Sequence, residues 1–268
     1  MSVTSTTTPS FVEQSMHDGG VALLTFDNSA RANSIDASIM AELHGKVKAL
    51  LADDAVRAIV LTGTGKAFST GADVKQFAQG VKDGTTVHWV LDTTAELHPL
   101  LLELRASGKV FIAAVNGVAA GGGLGLALAA DARIGGPEAR FAAGYFGLGL
   151  SPDGGSTWLL PRLIGEQRTR QFFFTNEVMP AEEAHFTGIL DELVAADQVV
   201  PRALQVAKEW GAWSRWSRES TKRLLDAQST STFGGQLDLE RGLIASAAGT
   251  REFKEGVAAF IEKRKPRF

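Results

Sequence analysis

Two glycine-containing turns, Phe68-Ser69-Thr70-Gly71-Ala72-Asp73 and Ala120-Gly121-Gly122-Gly123, have residue types and a spacing that suit chemistry. Each lies just beyond an apolar run that reads as a buried strand. Glycine admits backbone conformations that leave N–H groups unpaired and turned toward a cleft. Two such groups converging on one point make an oxyanion hole, which stabilises charge as it develops on a carbonyl oxygen. Spacing alone leaves the plainer reading open, because most glycine turns only redirect the chain.

Other chemistries fail on spacing. A dinucleotide fingerprint starting at Gly121 needs glycine at 126, where Leu126 stands. A phosphate-binding loop ending at Gly65-Lys66 needs glycine in place of Val60 and a hydroxyl residue in place of Ala67. Ser156 follows Gly154 but precedes Trp158 by two, which excludes a nucleophile elbow, and the histidines show no HExxH spacing. With no cysteine there is no disulfide, no thiolate nucleophile and no Cys-ligated metal; no metal site is expected.

The elements that must position the turns follow from periodicity. Val21–Phe26 and Ala58–Thr62 read as buried strands. Between them, Asp36 caps a helix whose Ile39, Met40, Leu43, Val47 and Leu50 recur at helical spacing. Strand, helix, strand implies a parallel crossover. The rhythm returns with Val110–Val115 as a strand and Leu124–Ala130 as a helix. The stretch from Phe111 to Ala130 is long and uncharged enough to suggest a membrane span, but its five glycines and Asn116 make it a strand, a turn and a buried helix. Beyond about Pro201 the pattern is helical, over Leu204–Trp213, Ser217–Ala227, Leu237–Ala247 and Arg251–Lys263. Leu224, Leu239, Val257, Phe260 and Ile261 are more apolar than peripheral helices can hide alone, so part of this surface is expected to pack on another subunit.

The chain has 268 residues, 44% of them hydrophobic, which suits a globular layered unit. Its 27 Lys and Arg against 30 Asp and Glu give a net charge of −3, so no field is available to hold nucleic acid. The basic run Lys263, Arg264, Lys265 and Arg267 reads as a solvated tail able to meet a phosphate locally. MSVTSTTTPS lacks the pattern of a signal peptide and reads as a flexible arm; no membrane association and a cytoplasmic location are expected.

Gly65-Lys66-Ala67-Phe68-Ser69-Thr70-Gly71-Ala72-Asp73 followed by Ala113-Ala114-Val115-Asn116-Gly117-Val118-Ala119-Ala120-Gly121-Gly122-Gly123 resembles the paired signature of the crotonase (enoyl-CoA hydratase/isomerase) family. The likeness continues through Arg31-Ala32-Asn33-Ser34 and Glu255-Gly256-Val257-Ala258-Ala259-Phe260-Ile261-Glu262-Lys263-Arg264. It implies an α/β fold, a crotonase-like spiral of ββα units with a C-terminal helical trimerisation region. The expected divisions are an arm over 1–12, a spiral core carrying the active site over 13–200 and an oligomerisation region over 201–268. The resemblance implies an enzyme acting on an acyl-CoA thioester, with CoA part of the substrate and no separate cofactor, assembled as a homotrimer or a hexamer made of two trimers. Ala72 and Gly122 would supply the N–H donors, while Arg31, Ala32, Asp73, Val74 and Lys75 would line the CoA path. Phe260 and Lys263 would reach a neighbouring subunit's CoA; the plainer reading of the basic residues is surface charge.

Hydratases of the family carry two glutamates that act on water, and the corresponding positions here hold Gly125 and Tyr145. Neither exchanges a proton as a carboxylate does near neutral pH. The loop from Gly149 to Arg162 instead offers Asp153, as in the family's isomerases, including the ring-opening epoxide isomerases of phenylacetyl-CoA breakdown. Gln236-Leu237-Asp238-Leu239-Glu240-Arg241 is similar to the same subgroup. Asp153 would therefore shuttle a proton in shifting a double bond; its other reading is a cap for a helix starting at Gly154. An apolar wall from Phe146, Leu148 and Leu150 is expected around it, and Val87, Trp89, Leu91 and Tyr145 are expected to shape the acyl pocket.

His98, 24 residues before Gly122, resembles the histidine base of aryl-CoA dehalogenases. That subgroup carries a tryptophan where Tyr145 stands and a bulky aromatic at Ala72. His98 and Tyr145 are thus auxiliary candidates, and the plainer reading of His98 is a partly buried structural residue. The competing functions are a hydratase or dehalogenase activating water, and a catalytically silent acyl-CoA- or RNA-binding member.

Overall fold

The computed structural model describes residues 10–268. In chain order the elements are β1 (Val12–His17), β2 (Val21–Phe26), α1 (Ala37–Ala52), β3 (Ala58–Gly63), β4 (Ala67–Ser69), α2 (Val74–Asp83), α3 (Thr86–Ala106), β5 (Val110–Val115), β6 (Val118–Ala120) and α4 (Gly122–Leu128). There follow β7 (Ala132–Gly135), β8 (Arg140–Ala142), α5 (Ser156–Ile164), α6 (Glu166–Thr175), β9 (Val178–Pro180), α7 (Ala181–Thr187) and β10 (Glu192–Leu193). Four helices end the chain, α8 (Val199–Gly211), α9 (Arg215–Ala227), α10 (Phe233–Ala248) and α11 (Arg251–Ile261).

Among the described residues the strands form a larger sheet in the order β1-β2-β3-β5-β7-β10 and a smaller one in the order β4-β6-β8-β9. The chain alternates between them, so β3 is followed by β4, β5 by β6 and β7 by β8. Each turn of this spiral adds a parallel strand to both sheets. Antiparallel pairs occur only at their edges, β1 with β2 and β8 with β9. This is the crotonase-like ββα spiral with C-terminal helices.

The central strands β2, β3 and β5 of the larger sheet are nearly continuous apolar runs because both faces of the sheet are covered there. Leu24, Ile59, Leu61, Phe111 and Val115 face the core beneath α1, α3 and the smaller sheet. Their neighbours Val21, Val60, Ile112 and Ile134 face the other way and are sealed by Val199, Ala203, Val206 and Ala207 of α8. The boundary expected at residue 201 therefore falls inside a helix that belongs to the core. The arm expected over 1–12 lies outside the described residues except for Ser10, Phe11 and Val12, and Val12 is fully buried at the start of β1. Among the described residues, side-chain caps fix five helix starts as the residue types dictate: Asp36 accepts from Ser38 and Ile39 N–H, Asp73 from Lys75 N–H, Ser214 from Ser217 N–H, Thr232 from Gly235 N–H and Thr250 from Phe253 N–H. No helix among the described residues is long and apolar enough to cross a membrane.

Candidate active site

The smaller sheet positions the site. β4, β6 and β8 are parallel, and their carboxyl ends lead into Gly71-Ala72, Gly121-Gly122 and Gly144-Tyr145. These segments and Asp153 line one cavity of about 350 Å³. Ligand sites in α/β sheets recur at carboxyl ends of parallel strands.

Gly71 and Gly121 have φ of +73° and +53°, in the region that favours glycine. The turns meet backbone to backbone: a Cβ on Gly71 would lie 2.7 Å from Ala120 O and 2.9 Å from Gly122 N. Ile35 N–H donates to Gly71 O at 2.8 Å, holding the first turn in a short parallel bridge beside Ala72. Gly122 opens α4, so its N–H has no partner one turn back. Among the described residues neither Ala72 N–H nor Gly122 N–H donates to a protein acceptor, and both residues line the cavity.

Asp153 does not serve as a helix cap. α5 begins at Ser156 after Gly155, with no side-chain cap; Ser156 N–H and Oγ donate instead to the backbone carbonyl of Asp153 at 3.1 and 2.8 Å. The carboxylate turns to the cavity, where Oδ1 accepts from Tyr145 Oη at 2.8 Å. Burial of Tyr145, reinforced by the charge of Asp153 and the hydrogen bond to it, pushes the phenol far above its ordinary value. It stays a hydroxyl and donates.

Gly125 is absent from the cavity lining for a steric reason. A Cβ there would lie 2.5 Å from Gly154 O and 2.9 Å from Gly154 Cα. Gly154 and Gly155 carry φ of +58° and +73°, which turn the chain sharply after Asp153 and seat that turn on α4. The missing carboxylate at 125 and the placement of Asp153 are one packing fact.

α3 supplies the facing wall with Trp89, Val90, Thr93, Thr94, Leu97 and His98. His98 is exposed within the cavity and has no hydrogen-bond partner among the described residues, which replaces the expectation of a partly buried structural histidine. Leu148 and Leu150 line the cavity as expected, whereas Phe146 stacks on Phe173 and Phe174 outside it, at centroid distances of 6.3 and 5.6 Å. Trp89 and Tyr145 shape the pocket; Val87 and Leu91 point to solvent, 69% and 58% exposed. Sequence reasoning missed Ile35, Phe77, Thr93 and Leu97, although Val90, Thr93, Leu97 and their neighbours do recur at helical spacing.

Of the expected CoA path, Arg31 is engaged within the chain. Its Nε and Nη2 donate to Asp73 Oδ2 at 2.9 and 2.6 Å. Burial acts to raise Asp73, but the hydrogen bonds and charge of Arg31 and the N–H of Lys75 outweigh it and hold the carboxyl below its ordinary value. Val74 lines the cavity, Lys75 is exposed beside it, and Ala32 adopts φ +52° in the loop that Thr70 N–H and Oγ1 hold through Ala32 O. Phe260 and Lys263 lie on and just after α11, away from this cavity.

The model of the family described as enoyl-CoA hydratase/isomerase matches residues 16–268. The 1,2-epoxyphenylacetyl-CoA isomerase of Escherichia coli K12 is 34% identical over 249 residues, 93% of this chain and 95% of that protein. The 2,3-dehydroadipyl-CoA hydratase of the same organism is 30% identical, covering 92% of this chain and 94% of the relative. The crystal structure of an enoyl-CoA hydratase from Polaromonas sp. JS666 superposes with a TM-score of 0.89 at 28% identity, over 96% of this chain and 98% of that one.

Proposed function

Because this chain belongs to the enoyl-CoA hydratase/isomerase family, whose members act on acyl-CoA thioesters, we propose that it shifts a carbon–carbon double bond with Asp153 as the proton shuttle. The observation that carries this reading is the placement of one carboxylate, steadied by Tyr145, in the cavity that two unpaired N–H donors share, with no carboxylate at 125 or 145. Asp153 takes the C2 proton of a 3-enoyl thioester, and the electron pair moves onto the thioester oxygen between Ala72 and Gly122 N–H. As the enolate collapses, the same carboxyl returns the proton at C4 and the double bond comes to rest between C2 and C3. No water enters the balance and no second acid is needed. A ring-type isomerisation would use the same enolate stabilisation. We assign Arg31, Ala32, Asp73, Val74 and Lys75 to the CoA path, Phe260 and Lys263 to the CoA of a neighbouring subunit, and α9–α11 to assembly of trimers or hexamers.

The exposed, unpartnered His98 supports a second reading, activation of water for hydration or dehalogenation. A paired ultraviolet assay separates the two: formation of conjugated thioester from trans-3-hexenoyl-CoA, and its loss from crotonyl-CoA. Conjugation is expected, and Asp153→Asn should lower it by about a hundredfold to ten-thousandfold, the span of general acid–base catalysis, with thioester binding retained. His98→Ala should stay within a few-fold. Consumption of crotonyl-CoA that survives Asp153→Asn and vanishes in His98→Ala would replace the isomerase with the water-activating enzyme.

A further inference from the structure

On its α2–α3 side the cavity is lined by an aromatic corner that neither enolate stabilisation nor proton transfer uses. Phe77 and Trp89 both line it, their rings meeting edge to face with centroids 4.7 Å apart at 70°. Trp89 Nε1 donates to Gln76 Oε1 at 2.5 Å, and Gln76 Nε2 donates to Asp36 Oδ2 at 3.0 Å. An indole N–H can only donate and an ionised carboxylate can only accept, so one orientation of the Gln76 amide satisfies both. Asp36 is itself fixed. Its Oδ1 caps α1 through Ser38 and Ile39 N–H, each at 3.1 Å, and its Oδ2 lies 3.7 Å from Arg31 Nη2. The indole is thereby tethered through one amide to the start of a core helix, across 53 positions of sequence between Asp36 and Trp89 (89 − 36).

Apart from His98, the rest of this wall recognises shape and not charge. Val90 and Leu97 are apolar, and the hydroxyls of Thr93 and Thr94 are spent on the carbonyls of Trp89 and Val90 at 2.9 and 2.8 Å. The cavity, about 350 Å³, is near the small end of the range of about 300–1,000 Å³ typical of ligand pockets. Part of that space must hold the thioester and the carbons facing Asp153.

We propose that Trp89, held in place by Gln76, is the stop that limits how far an acyl group can extend, so that the site takes short or single-ring hydrocarbon acyl thioesters and refuses chains as long as dodecanoyl. The inference rests on the acyl-CoA reading of the site but not on which reaction follows. A tethered indole is an inextensible wall, whereas a free one would swing toward solvent and admit further methylenes.

Isothermal titration of saturated acyl-CoAs, hexanoyl through dodecanoyl, into the full chain and its Trp89→Ala, Trp89→Phe and Gln76→Leu variants tests this without requiring turnover. The unaltered protein should bind hexanoyl-CoA at least about tenfold tighter than dodecanoyl-CoA, a discrimination within the range a hydrophobic pocket achieves per misfit group. Trp89→Ala should erase that preference. Trp89→Phe and Gln76→Leu should relax it alike, since each removes one partner of the same hydrogen bond. A preference unchanged in Trp89→Ala, with an unaltered circular dichroism spectrum, overturns the stop and leaves the isomerase reading standing. A relaxed preference in a protein that fails to conjugate trans-3-hexenoyl-CoA supports the stop while the isomerase reading falls. Binding of none of the thioesters by the unaltered protein would overturn both.

Discussion

The Tyr145 hydroxyl, on a buried residue, donates to the half-buried carboxylate on which the proposed proton transfer depends. The donor fixes the orientation of the base, so Tyr145→Phe should lower kcat for isomerisation by about tenfold through a misplaced carboxylate. In an Asp153→Asn background the same change should add little, because the two residues act as a unit; a four-variant kinetic cycle measures this. Gly125→Glu is expected not to restore hydration. Its Cβ would meet Gly154 O at 2.5 Å, so isomerisation and thermal stability should fall together, the latter by about 1–3 kcal/mol as for an overpacked core. In the sequence, 125 is legible only as a position without a glutamate, and 145 as that and as an auxiliary candidate beside the acyl pocket. That the glycine seats the Asp153 turn, and that the tyrosine hydrogen-bonds to the aspartate, depends on a loop folding back onto α4, which local patterns do not encode.

Two glutamates join elements that are distant in sequence. Glu42 on α1 accepts from Ser10 Oγ at 2.5 Å and from Phe11 and Val12 N–H at 2.9 and 3.3 Å, tying down β1. Glu252 on α11 accepts from Ser214 Oγ at 2.5 Å and from Arg215 and Trp216 N–H at 3.1 and 3.2 Å, tying down α9. Partial burial acts to raise both carboxyls, but these hydrogen bonds outweigh it, so each lies below its ordinary value in the folded chain. The stability they contribute is present above the unfolded value of about 4.3 and is lost as pH falls through the lowered folded values. Thermal melts should therefore show Glu42→Gln and Glu252→Gln destabilised at about pH 7, with the deficit shrinking toward about pH 3. Legibility at this scale followed burial. β2, β3 and β5 are nearly continuous apolar runs and were read within a residue of their bounds. β1 escaped because Glu13, Gln14, Ser15 and His17 leave it no apolar alternation, only an edge pairing with β2. α8 was read as a helix, but its role as the second cover of the larger sheet appears only once the sheet exists.

Across the whole molecule, α9 and α10 have no buried residues and α11 buries only Ala259, while Phe233, Ile244, Phe253, Phe260 and Ile261 stand at least half exposed. Apolar surface of this kind marks an interface. Gel filtration should show a trimer or hexamer, and Ile244→Glu combined with Phe260→Glu should shift it toward monomer without altering the circular dichroism of the core. The spiral also carries a consequence for the order of synthesis. β4, β6 and β8 belong to successive turns, and each contributes one part of the cavity: the first amide, the second amide, then the tyrosine and the aspartate beyond it. No single turn contains the machinery. A nascent chain that has emerged past α4 has both amides but not the proposed base, and Asp153 joins them only after the third turn has been laid down. On the proposed roles, catalytic competence thus waits for the third turn, as a property of completed winding.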